Sequence, residues 1–195
     1  MKIILASASP RRKDILKRFV DFEVVPSKAE EKYRKNLKPH EVSMYLSLIK
    51  GIEVADRIKS KDSIIIGADT IVYLDKILEK PRNRQEAKEY LKLLKRKKHS
   101  VYSGFSIIDS SSFKKITSYE KTEVHFGDYD DDFIENYLNK NEYIDKAGAY
   151  AIQGYGSLFV KKIEGDYLNV MGFPLYSISR SLKKNFNIDL MAMGD

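Results

Sequence analysis

The chain has no cysteine, which excludes disulfide bonds and thiolate metal centres and is compatible with a reducing compartment. It has no apolar run of membrane-spanning length. Ile3 to Ala6 is also too short for the apolar part of a secretory signal, so a cytoplasmic location with no membrane partner is expected. The three histidines, His40, His99 and His125, show neither metal-ligand nor nucleophile spacing and are read as structural. Internal repeats, low-complexity tracts and interdomain linkers are missing, which leaves a single domain over residues 1–195. There is no phosphate-loop lysine motif. A dinucleotide fingerprint fails around Gly154-Tyr155-Gly156, because Phe159 stands where the third glycine belongs and no helical pattern follows.

Charge is abundant. The net charge of +7 and pI of about 9.3 suit an anionic ligand, a nucleic acid or a lysine-rich surface. The basic residues are scattered without aromatic interleaving, so no nucleic-acid partner is expected. A hydrophobic fraction of 43% in 195 residues is enough for a sizeable core.

Helical and strand patterns alternate along the chain. Lys2 to Leu5 reads as a strand, and Phe22 to Val25 as a second, short one. Pro26 to Lys38 is a polar loop, after which Pro39 opens a long helix with a stripe of Val42, Tyr45, Leu46, Ile49, Ile52 and Ile58. Ser63 to Leu74 is β-branched and apolar on both faces, as a central strand should be. Asn83 and Glu86 form a capping box for a helix whose inner face is Ala87, Tyr90, Leu91 and Leu94. Two strands between Ser100 and His125 flank a serine turn, and Asp130 to Asp132 begin a short helix. Ala147 to Ile152 and Leu158 to Ile163 read as two further strands, and Pro174 starts the last helix. The fold class is therefore α/β, with a long mixed sheet.

Several residues could carry chemistry. In Ser7-Ala8-Ser9-Pro10-Arg11-Arg12, Ser9 suits an N-cap and Pro10 a first helical position. Arg11 and Arg12 then stand at the helix end where cations are disfavoured, so an anion should compensate them. Strand, small-residue turn, helix start and two guanidinium groups make a phosphate-binding layout; a plain cap with two solvated arginines is the alternative. Asp69, in Gly67-Ala68-Asp69-Thr70, lies within the most apolar strand, where a bare carboxylate is costly. It reads as a metal ligand or general base, or else as a strand cap or the structural partner of an arginine. Small neighbours at Gly67 and Ala68 let another group come close. Lys50 beside Gly51, and Lys80 beside Pro81, are ammonium groups able to reach phosphate. Glu30 and Glu31 could help hold a divalent cation, although all four equally suit a solvated surface. The small residues from Ala147 to Gly156 suggest a ligand lying against the backbone.

Taken together, the motifs resemble those of the Maf proteins, nucleoside triphosphate pyrophosphatases related in fold to the inosine triphosphate pyrophosphatases. The matching pieces are Ser7 to Arg12, Gly67 to Thr70, Lys80-Pro81, Ser103-Gly104, Asp145 to Tyr150, Glu164 to Tyr167, Asn169-Val170 and Gly172 to Pro174, in family order. Departures are mild, the clearest being Gly51 where alanine usually follows the helical lysine and Glu30 where aspartate is usual. The resemblance implies a long mixed sheet flanked by helices, with a cleft between two lobes. It implies hydrolysis between the α- and β-phosphates, with Asp69 as catalytic carboxylate, Asp69 and Glu31 holding Mg²⁺ or Mn²⁺, and Ser7, Ser9, Arg11, Arg12, Lys50 and Lys80 binding substrate. Arg12, Thr70 and Gln153 match the subgroup that hydrolyses dTTP and UTP; modified pyrimidine nucleotides are included in that expectation. Alternatives are a 7-methyl-GTP or broad house-cleaning pyrophosphatase, or a non-enzymatic regulator of septum formation. The expected partner is a nucleoside triphosphate, with a homodimer left open.

Overall fold

Isoleucine and valine dominate β3 (Ser63–Leu74), and the burial of Ile64, Ile65, Ile66, Ala68, Ile71 and Val72 covers both of its faces. The computed structural model describes residues 1–58 and 62–193. In it β3 pairs in parallel with β1 (Lys2–Leu5), Ile3 opposite Ile64, and β1 pairs in parallel with β2 (Glu23–Val24). The sheet continues through β5 (Lys98–Asp109), β6 (Lys115–Phe126) and β7 (Val160–Glu164), in the order β2-β1-β3-β5-β6-β7. A short β4 (Lys76–Leu78) returns antiparallel along β3, and β7 is antiparallel to β6, so the sheet is mixed, as expected. The flanking helices are α1 (Pro10–Leu16), α2 (Pro39–Ile58), α3 (Arg84–Leu94), α4 (Asp131–Leu138), α5 (Tyr167–Val170) and α6 (Leu175–Phe186). Among the described residues no helix is long and apolar enough to cross a membrane.

The chain divides into two compact units. The first comprises Met1–Asp69, Ser103–Glu120 and Gly172–Asp195; the second comprises Thr70–Tyr102 and Lys121–Met171. In the first, Ile4, Ala6, Val54, Ile65 and Ile108 form one apolar cluster. In the second, Phe159 is the hub of an aromatic core, with ring centroids of Tyr129, Tyr137 and Phe133 at 4.7, 4.9 and 5.2 Å in edge-on contact.

Local signals hold at most helix starts. The Asn83 side chain accepts from the Glu86 amide and Asp130 from the Phe133 amide. The capping box is only half made, because the Glu86 carboxylate turns to the amide and guanidinium of Arg82. Ser9 makes no side-chain cap to α1, although Pro10 does open that helix.

Three readings need correction. The buried face of α2 is Val42, Ser43, Leu46, Ser47, Gly51 and Val54, while Tyr45 of the expected stripe is exposed. The expected strand over 147–152 is a 3₁₀ turn (Ala147–Ala149), because Gly148 and Ala149 take φ of +67° and +64°, a left-handed backbone no strand contains. The second expected strand begins with another 3₁₀ turn, Tyr155–Phe159, which leaves only β7 extended.

Candidate active site

The close packing of α2 on the sheet places the central group of charges. A Cβ on Gly67 of β3 would lie 2.3 Å from the Ser47 carbonyl oxygen, and one on Gly104 of β5 would lie 2.2 Å from that of Ser43. The Ser106 hydroxyl donates to the Ser47 carbonyl at 2.8 Å in the same seam. The group that the small residue Gly67 admits is therefore the backbone of α2. This approach brings Lys50, one turn beyond Ser47, to the strand position of Asp69.

Lys50 Nζ donates to Asp69 Oδ1 at 2.6 Å and to Glu31 Oε1 at 2.7 Å. The Lys50 and Asp69 side chains are only 12% and 10% exposed, whereas Glu31, on the loop before α2, is 46% exposed. Burial pushes the Asp69 carboxyl above its ordinary range, opposed by the charges of Lys50 and Arg12. Of the two alternatives to a catalytic or metal-binding role, the strand cap does not describe this residue, since Asp69 lies within β3. Its hydrogen-bonded cation is Lys50, and the charge of Arg12 also acts on it.

Arg12 is compensated from within the first unit. Its Nε donates to the Gly172 carbonyl at 2.8 Å, and its Nη1 to the Ala68 carbonyl at 2.8 Å and the Ser7 hydroxyl at 3.0 Å. Burial lowers its pKa, and the Asp69 charge works the other way. Where the sequence asks for an anion, two backbone carbonyls and a hydroxyl accept from this guanidinium. Ser7 is buried and also accepts from the Ser9 amide at 3.3 Å. Ser9 and Arg11 lie half-buried beside it.

In the first unit Ser7 and Arg12 are thus joined by a hydrogen bond, and Glu31, Lys50 and Asp69 by ion pairs, with Arg12 bonded to the carbonyl of Ala68 next to Asp69. Thr70 follows Asp69 on β3 and is half-buried, whereas Lys80 and Gln153, in the second unit, are exposed. The small residues from 147 to 156 have packing explanations inside that unit. A Cβ on Gly148 would meet Val72 at 2.8 Å, and one on Gly154 would meet the Glu142 carboxylate at 2.5 Å.

The carboxylates fit a hard divalent cation. Asp69 and Glu31 already converge on one positive centre, the Lys50 ammonium, and both offer oxygen donors. No group of three or more His, Asp or Glu side chains suited to a metal occurs among the described residues. Two carboxylates completed by substrate phosphate oxygens is a usual Mg²⁺ arrangement.

The seam that positions Lys50 was not singled out from the sequence. Its trace is there, in small residues at 43, 47 and 51 on α2 and at 67, 104 and 106 on the strands.

A family model described as Maf-like protein matches residues 2–185. The chain belongs to the Maf family. A Maf relative named dTTP/UTP pyrophosphatase from Alkaliphilus oremlandii (strain OhILAs) is 45% identical over 191 residues, 97% of this chain and 99% of its own length. Another of that name, from Bacillus cereus (strain G9842), is 47% identical over 191 residues, 97% of each chain. A solved HAM1 protein from Coxiella burnetii aligns with a TM-score of 0.45 and 12% identity over 65% of this Maf chain and 73% of that one.

Proposed function

We propose that this Maf-family chain is a cytoplasmic, divalent-metal-dependent pyrophosphatase that converts dTTP and UTP to the monophosphate and pyrophosphate. The observation that carries the reading is the buried Asp69 carboxylate paired with Lys50, which in turn holds Glu31. The substrate names come from the full-length relatives.

Asp69 is the base. Held by Lys50 through Oδ1, it takes a proton from the attacking water at Oδ2 as the water oxygen bonds to the α-phosphorus. The bond from that phosphorus to the bridging oxygen breaks, and the electron pair leaves with pyrophosphate. Lys50, Lys80 and Arg11 offset the negative charge of the triphosphate and of the leaving group. Arg12 keeps the Ala68 carbonyl and the turn at Ser7 in place, so that the strand bearing Asp69 and the phosphate-facing turn form one rigid piece. A Mg²⁺ or Mn²⁺ ion held by Asp69 and Glu31 would supply Lewis-acid polarisation of the phosphate oxygens. Thr70 and Gln153 are assigned to substrate recognition; the Gln153 amide offers both a donor and an acceptor to a pyrimidine.

The test is a panel of dTTP, UTP, CTP, 7-methyl-GTP and modified pyrimidine triphosphates, assayed for pyrophosphate with Mg²⁺, with Mn²⁺ and with chelator. Pyrophosphate from dTTP and UTP, lost with chelator, is expected. Asp69→Asn should remain folded and lose roughly two or more orders of magnitude in turnover. Release of orthophosphate alone, or full activity in a folded Asp69→Asn protein, would overturn the mechanism. No release from any nucleotide would leave the non-enzymatic role in septum formation.

A further inference from the structure

The loop that carries Glu31 has no helix or strand of its own between Pro26 and Lys38. Its first residues are fastened to α2. Glu53 Oε2 accepts from the Ser27 hydroxyl at 2.9 Å and from the Lys28 amide at 2.8 Å. Glu53 Oε1 accepts from Arg57 Nε at 2.7 Å, and Arg57 Nη2 donates to the Pro26 carbonyl at 2.7 Å. The Ser27 hydroxyl also accepts from the Ala29 amide at 3.0 Å, closing a small turn.

A Glu and an Arg four residues apart on a helix are ordinarily a solvated pair of small consequence. Here both members also bond to the loop. Lys50, Glu53 and Arg57 follow one another at intervals of three and four residues, so they share one face of α2. The same face therefore holds the start of the segment through Glu53 and Arg57 and its middle through the Lys50 to Glu31 ion pair. Glu31 is half exposed, so the fastening at Glu53 adds to its ion pair with Lys50 in ordering the loop. The Glu53 carboxyl is held down to about 2, chiefly by Arg57 with help from the Lys28 amide and Ser27, so this fastening stays charged across the working pH range.

We propose that Glu53 is a positioning residue for the hydrolytic site: by fastening residues 26–29 to α2 it keeps Glu31 on Lys50, and so keeps both of the carboxylates that Lys50 joins in register. Its kinetic consequence rests on the pyrophosphatase reading above. The geometric claim does not.

The full-length protein is compared with Glu53→Ala, with Glu53→Gln, which retains an acceptor for the Lys28 amide, and with each change in a Glu31→Gln background. Hydrogen exchange over residues 28–32 is read first. It should rise about tenfold in Glu53→Ala and less in Glu53→Gln, with the melting temperature nearly unchanged. With dTTP and Mg²⁺, Glu53→Ala should lower kcat about tenfold, and Glu53→Gln should recover most of that loss. In the Glu31→Gln background the same Glu53→Ala change should alter kcat less than about twofold, because the group being positioned is already gone. Unchanged exchange, or an equal kcat loss in both backgrounds, would overturn the proposal. If the unmodified protein releases pyrophosphate from no nucleotide, the pyrophosphatase reading fails alone and the exchange comparison still decides whether Glu53 orders the loop.

Discussion

Lys50 Nζ and Asp69 Oδ1 are 2.6 Å apart although their residues are separated by 19 positions, one on a helix and the other on the strand beneath it. Both are nearly buried, and the charge of Lys50 is the largest of those that offset the desolvation of Asp69. Altering Lys50 therefore changes the ionisation of Asp69 as well as the contacts around it.

Lys50→Met removes a charge that lowers the Asp69 pKa while leaving the burial that raises it. The Asp69 pKa should then rise further. A general base acts only when deprotonated, so the acid limb of kcat/KM for dTTP should move to higher pH, on top of a loss of activity from the missing ammonium. Pyrophosphate release measured across pH in both proteins checks this. An unmoved limb would mean that Asp69 is not the titrating base.

Gly67→Ala should be among the most damaging small substitutions in the chain. The added methyl meets the Ser47 carbonyl, which is backbone, at 2.3 Å, so α2 itself must shift. Overpacking of this kind costs about 1–3 kcal/mol, and the shift should carry Lys50 away from Asp69 and lower turnover as well. Gly127→Ala is the control, since its nearest neighbour would be the Phe159 carbonyl oxygen at an ordinary 3.8 Å. Thermal melts and turnover of the two variants make the comparison.

Gln153→Glu should lower dTTP and UTP turnover without moving the melting temperature. Residue 153 is exposed, so the fold has little stake in it. A carboxylate cannot donate to a pyrimidine carbonyl, and its charge repels a triphosphate. Unchanged selectivity across dTTP, UTP, CTP and 7-methyl-GTP would remove Gln153 from base recognition.

His99 gives a stability prediction in the second unit. It is buried, bonded through Nε2 to the Tyr150 hydroxyl at 2.9 Å, and burial lowers its pKa from 6.5 to about 4. In the unfolded chain the ring gains its proton near pH 6.5, whereas in the fold it stays neutral until about pH 4. Stability should therefore fall as the pH drops through that window, by up to roughly 3 kcal/mol from this group. His99→Gln preserves a partner for Tyr150 but cannot titrate. Its melting temperature should fall less than that of the unmodified protein between pH 7 and pH 5.

Properties that repeat over a few residues were legible in the sequence. The β-branched run from Ser63 to Leu74, the prolines at 10 and 39, the cap at Asn83 and the acidic helix start at Asp130 to Asp132 act through local backbone preference and side-chain spacing, and the structure forms elements at each. Asp69 stood out for the same reason, as a carboxylate in an apolar strand. Where local composition has two outcomes, distant contacts decide. The small residues at 147–149 make a left-handed turn packed on Val72 and not a strand, because the positive φ values and the fit against Val72 arise only in the folded unit. The helix start asks for an anion beside Arg12, whereas neutral carbonyls 56 and 160 positions away accept from its guanidinium. The junction of Asp69, Lys50 and Glu31 likewise required α2 to seat on Gly67 and the loop to return over it. Ion-pair partners are selected by burial and distance in three dimensions, and neither quantity has a period along the chain.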